Sequence, residues 1–75
     1  MNDQVKFADM RVGDTVEFES LPAVGAPLGG VVALLNTTML TYENGGAKTS
    51  LRRAALRLER RTRNRETGHS HWVFQ

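Results

Sequence analysis

Asn44-Gly45-Gly46 lies between two segments whose side chains alternate, and it constrains this chain more than any other feature. An Asn-Gly pair favours a type I′ turn, because that turn needs positive φ at both central positions. Upstream, residues 38–43 put Leu40 and Tyr42 on one side and Met39 and Thr41 on the other. Downstream, residues 47–51 form the next strand. A period of two marks a half-buried strand, so the chain is built around a hairpin.

Further strand signals precede it. Residues 4–10 read as a short first strand with Val5 and Phe7 on one side. Val12-Gly13-Asp14 is a turn. Residues 15–19 alternate, with Val16 and Phe18 facing one way and Thr15, Glu17 and Glu19 the other. Residues 20–29 hold both prolines and form a loop, long for a hairpin, and long loops are more often functional than short ones. Residues 30–35 are β-branched and apolar, as a central strand would be, and Asn36-Thr37 turns the chain.

Beyond Leu51 two readings stay open. Leu51, Ala54, Ala55 and Leu58 recur at helical spacing, Ser50 could cap a helix, and Ala, Leu, Arg and Glu favour one. Leu56 and Leu58 also alternate with Arg57 and Glu59, which suits a helical turn over residues 51–55 and then a strand over 56–60. Residues 61–68 are polar and arginine-rich. Residues 69–75 alternate again, with Trp72 and Phe74 opposite His71 and Val73, as a last strand or an apolar patch docked on the body.

The run Val12-Gly13-Asp14-Thr15-Val16-Glu17-Phe18, a loop, and then Gly30-Val31-Val32 resembles SH3-like barrels of the KOW and Tudor kind. Ala55-Leu56-Arg57-Leu58 is similar to their closing strand after a short helical turn. The resemblance spans about residues 10–60. It implies a mainly β fold, a five-stranded barrel that binds RNA, DNA or protein. The expected organisation is a barrel over residues 1–60, its strands beginning at Val5, and a basic, aromatic C-terminal extension over residues 61–75.

The chain has 75 residues and no cysteine, so it makes one domain held by packing, without disulfides or thiolate-bound zinc. Its polar beginning, Met1-Asn2-Asp3-Gln4, is followed by no apolar stretch. A signal peptide is not expected, and the expected compartment is the cytoplasm. Residues 20–42 carry no charge but contain Pro22, Pro27, Gly25, Gly29 and Gly30. A spanning helix needs about 20 predominantly apolar residues, so no membrane span is expected.

Charge is unevenly placed. Residues 1–47 carry two cations against six carboxylates, and residues 48–75 carry eight against two. Such asymmetry points to a polyanion partner, or to acidic and basic faces that meet within or between chains. Arginine outnumbers lysine eight to two, and its planar fork matches phosphate and stacks on bases. The candidate nucleic-acid set is Lys48, Arg52, Arg53, Arg57, Arg60, Arg61, Arg63 and Arg65, with Tyr42 and Trp72 as stacking faces. Residues 58–65 also resemble arginine-rich RNA-binding peptides.

Other chemistries find less support. The only histidines are His69 and His71, and Ser70 between them would point to the opposite strand face. No nucleophile–base–orienter set or phosphate-binding glycine loop is legible, so an enzyme is not expected. His69-x-His71 is half a metal site at most, since structural zinc wants four ligands. No cofactor is expected. The second reading is a protein-interaction module, acting through an exposed strand edge and the Trp72-Val73-Phe74 tail, or pairing with its own copy. In style the chain also resembles small phage or mobile-element regulators.

Overall fold

The computed structural model describes residues 7–75. Six strands form one sheet: β1 Thr15–Phe18, β2 Gly29–Leu35, β3 Met39–Asn44, β4 Ala47–Arg52, β5 Leu58–Arg63 and β6 Ser70–Phe74. Their spatial order is β4-β3-β2-β1-β6-β5. Neighbours run antiparallel except β1 and β6, which are parallel, with Val16 opposite Trp72 and Phe18 opposite Phe74. The fold is mainly β and compact. Edge strands β4 and β5 do not pair with each other, so the sheet is not a closed barrel. Among the described residues no helix is long and apolar enough to cross a membrane.

The full helix after Leu51 does not form. A 3-10 turn, Arg53–Ala55, is followed by β5. Residues 58–63 run extended because β6 offers a pairing partner, with Arg61 opposite Trp72 and Arg63 opposite Ser70. Helix propensity is a weak preference that such pairing overrides. The segment 69–75 becomes β6 and lies inside the sheet, between β1 and β5, as a sixth strand.

The first-strand expectation over residues 4–10 falls partly outside the described residues. Its described part is a turn, in which Met10 N donates to Phe7 O at 2.9 Å. Phe7 has φ +59°, a left-handed conformation that costs a bulky residue roughly 1–3 kcal/mol. Its ring meets Phe74 and Trp72 edge-on, at 5.1 and 6.0 Å between centroids. The hairpin is present, but its loop is Gly45-Gly46, with φ of 60° and 88°. Asn44 closes the ladder opposite Ala47 and donates from Nδ2 to Gly29 O at 2.7 Å.

One face of the sheet holds the core. Val16, Phe18, Val32, Leu40, Tyr42, Trp72 and Phe74 are buried there with Met10 and Leu56. The Phe18 ring stacks on Phe74 at 5.5 Å and lies 5.3 Å from Tyr42. Phe18→Ala should cost about 3–5 kcal/mol, close to the whole stability of so small a domain. Urea melts should find that variant largely unfolded. A near-normal midpoint would remove the ring from the core.

Asp14, in the turn before β1, is 1 % exposed. Its Oδ1 accepts from Ser70 N at 3.1 Å and pairs with His69 Nδ1 at 3.0 Å. Its Oδ2 accepts from Arg11 N at 3.0 Å and Trp72 Nε1 at 2.9 Å. Burial pushes its pKa up. The bonds from Trp72, Arg11, Ser70 and His69 pull it down further, leaving it below the ordinary aspartate value. A carboxyl whose pKa is lower folded than unfolded stabilises the fold above its unfolded pKa, near 3.9. That contribution is lost as pH falls through the folded value. Asp14→Asn should cost about 2–4 kcal/mol, since its amide accepts fewer of these bonds. It should also flatten the loss of stability below about pH 4 seen in denaturant melts of the parent chain.

Candidate nucleic-acid interface

The structure sorts the expected contact residues into three groups. Tyr42 and Trp72 are buried, at 0 % and 2 % exposure, and present no stacking face. Tyr42 donates its hydroxyl to Pro27 O at 2.7 Å, and burial pushes its phenol above the ordinary value. Trp72 is held by Asp14. Alternation on β3 and β6 placed both rings on an apolar face, and that face is the core.

Arg53 is also internal. Its guanidinium donates to Asn36 O at 2.7 Å and Phe7 O at 2.9 Å, tying the 3-10 turn to two distant loops. Arg61 stacks its guanidinium 4.6 Å from the Trp72 ring centre. It also donates from Nε to Ser70 Oγ at 3.0 Å and forms an ion pair with Asp9. Both side chains brace the fold.

Six cations remain open to solvent. Lys48 and Arg52 lie on β4, at the opposite end of the strand order from β5. Arg57 immediately precedes β5, Arg60 and Arg63 lie on it, and Arg65 is in the loop to β6. β5 is exposed along its whole length. Among the described residues Arg57, Arg63 and Arg65 make no ion pair, while Arg60 pairs with Glu59 at 3.5 Å and also lies in the field of Glu19. Glu59 also bonds to and repels the Glu19 carboxyl, holding its pKa above the ordinary value. Acidity therefore gathers near the start of β5, and the end toward Arg63 and Arg65 is the more basic.

At that end a hollow of about 570 Å³ opens between β1, β5 and β6. It is lined by Thr15, Thr62, Arg63, Asn64, Thr67, His69 and His71, among others. Register explains the grouping, since Thr15 lies opposite His71 on one side and Thr62 opposite it on the other. Asn64 N donates to His69 O at 2.8 Å, closing the hairpin, and Arg11 Nη2 braces the loop at Gly68 O, 2.7 Å away. Gly13 has φ +99°, and a Cβ there would lie 2.7 Å from His69 Cε1. Glycine thus permits both the turn and the seat of the imidazole.

The two histidines are fixed by carboxylates. His69 Nδ1 donates to Asp14 Oδ1, because an ionised carboxylate only accepts. His71 Nε2 lies 3.1 Å from Glu17 Oε1, and its Nδ1 lies 2.6 Å from Thr15 Oγ1. Among the described residues no group of three or more His, Cys, Asp or Glu is placed to hold a metal. Thr15, Asn64 and both histidines were not among the expected contact residues. Their assembly depends on β6 lying beside β1, which local patterning does not reveal.

No protein-family model, curated protein or solved structure matches the chain.

Arg53→Lys should lose about 1–3 kcal/mol in denaturant melts, since one ammonium nitrogen replaces two guanidinium nitrogens that each donate to a different carbonyl.

Proposed function

We propose that the protein is a small non-enzymatic domain that binds RNA or DNA through the β5–β6 hairpin. One observation carries this reading: Arg57, Arg60, Arg63 and Arg65 run along one exposed edge strand and its loop. Three of them make no ion pair among the described residues, and Arg63 borders a polar hollow of about 570 Å³. Guanidinium groups spaced along a strand suit a phosphate backbone, which is read without regard to base. Two buried aromatics make base stacking a poor source of affinity here. Binding is electrostatic, weakly sequence-dependent and strongly salt-dependent.

The chain Thr15–His71–Glu17 has the residue types of a catalytic relay. It lies across an open strand face, at exposed positions on β1, and we read it as part of the binding surface. We read the sheet as a variant of the SH3-like barrel. β1, a long loop, the β2–β4 meander, a 3-10 turn and β5 follow the order of an SH3-like barrel. β6, lying between β1 and β5, departs from the five-stranded pattern.

A protein partner is the second reading. It is favoured by Val31 and Leu34, apolar residues 47 % and 56 % exposed on β2. The Trp72 and Phe74 side chains that would have anchored such a partner are buried in this chain's own core.

The test is fluorescence anisotropy with generic RNA and DNA oligonucleotides over a range of salt. Changing Arg57, Arg60, Arg63 and Arg65 together to Gln should weaken binding by at least about tenfold at low salt and flatten the salt slope. Unchanged affinity in the folded variant would end the nucleic-acid reading. Light scattering that found a stable dimer, disrupted by Val31→Thr with Leu34→Ser, would favour the second.

A further inference from the structure

The hollow beside the arginine edge holds groups that the backbone-tracking arginines do not require. It contains two imidazoles, each tied by one ring nitrogen to a carboxylate, and hydroxyls on both flanks of His71. We infer that this hollow is a phosphodiester subsite whose donors are supplied by His69 and, through His71, by the Thr15 hydroxyl when the imidazoles are protonated, so that strand binding tightens on acidification. The inference rests on the nucleic-acid reading above and adds to it the position and regulation of one contact.

The hydrogen-bond arithmetic is specific. In neutral His69, Nδ1 carries the proton and donates to Asp14, so Nε2 is an acceptor and repels a phosphate oxygen. Protonation turns Nε2 into a donor and leaves the Asp14 bond intact. In neutral His71, Nε2 donates to Glu17, so Nδ1 must accept the Thr15 hydroxyl proton. Protonation makes Nδ1 a donor as well. Thr15 Oγ1 then becomes an acceptor, and its own hydrogen is released to point elsewhere. Thr15 lines the hollow. Two protons taken up thus give two positive charges and two new donors beside Arg63.

The surrounding charges agree with that sense. His69 faces buried Asp14 from the turn before β1, with Arg63 across the same hollow on β5. Arg11 reaches the adjoining loop at Gly68 O. His71 faces Thr15 and Glu17 of β1 and is paired with Thr62 of β5. Arg60 and its partner Glu59 lie further along β5. Asp14 is almost wholly covered and does not confront the ligand.

The probe is an oligothymidylate without terminal phosphates, whose backbone charge is constant over the relevant pH range. Its affinity should rise by about tenfold between pH 8 and pH 5.5, the interval in which ordinary imidazoles titrate. His69→Gln with His71→Gln keeps a donor at each position. Measured against its own affinity at pH 8, that variant should gain less than about twofold on acidification. Thr15→Val should lose part of the gain. Parent affinity that is flat with pH, or a gain that survives in the double variant, would overturn the inference and leave the arginine reading standing. No binding at any pH in low salt would remove both. Circular dichroism checks folding at each pH. If the double variant does not fold, NMR of the parent's histidine Cε1 protons decides: both should titrate at higher pH with oligothymidylate bound, and unmoved titrations overturn the proposal.

Discussion

The Asp14 carboxylate is the constraint on which the rest depends. It is buried, ionised and held by donors from a turn, from a strand more than fifty residues later, and from an indole in the core. A buried carboxylate is costly unless its oxygens are satisfied. The four partners are in place only when β6 lies parallel against β1. The carboxylate thus couples the sheet's least local pairing to the turn that starts its first strand. It also orients His69, so the element that secures the fold shapes the candidate site.

The uneven charge along the sequence takes on meaning in this arrangement. Asp9, Asp14 and Glu17 come from the acidic first part of the chain, and Arg61, His69 and His71 from the basic last part. Parallel pairing of β1 with β6 brings them together. Part of the arginine set is thereby neutralised or enclosed within the molecule: Arg61 against Asp9 and Trp72, Arg53 against two carbonyls. What stays available is narrower than composition suggests: the β5 edge with the residues flanking it, and Lys48 and Arg52 apart from them on the β4 edge. A charged edge also discourages copies of the chain from pairing strand to strand.

Strand alternation was a reliable guide where both faces of a strand differ. Val16 and Phe18, Leu40 and Tyr42, and Trp72 and Phe74 all point inward as their spacing requires. The glycine-rich hairpin was legible for the same local reason. Neighbour relations were not. Nothing in residues 58–63 distinguishes an edge strand from a helix until β6 lies beside them. Arg53 is internal because carbonyls of Asn36 and Phe7 converge on it from elsewhere in the chain. Tyr42 and Trp72 were read as stacking faces because an aromatic in sequence does not declare whether its ring meets a base or a core. The histidines read as surface residues that make at most half a metal site, and become part of a hollow only through the residues that β1 and β5 set around them.

The parallel ladder between β1 and β6 has a consequence for synthesis. Val16 meets Trp72, and Phe18 meets Phe74, across nearly the full length of the chain. A nascent polypeptide with β1 through β5 already outside the ribosome still lacks two of its largest interior rings, and Asp14 lacks three of its four donors. The meander can collapse early, but β5 has no strand to pair with until β6 is made, so the β5–β6 hairpin completes the sheet by docking on β1 only after residues 70–74 have left the exit tunnel.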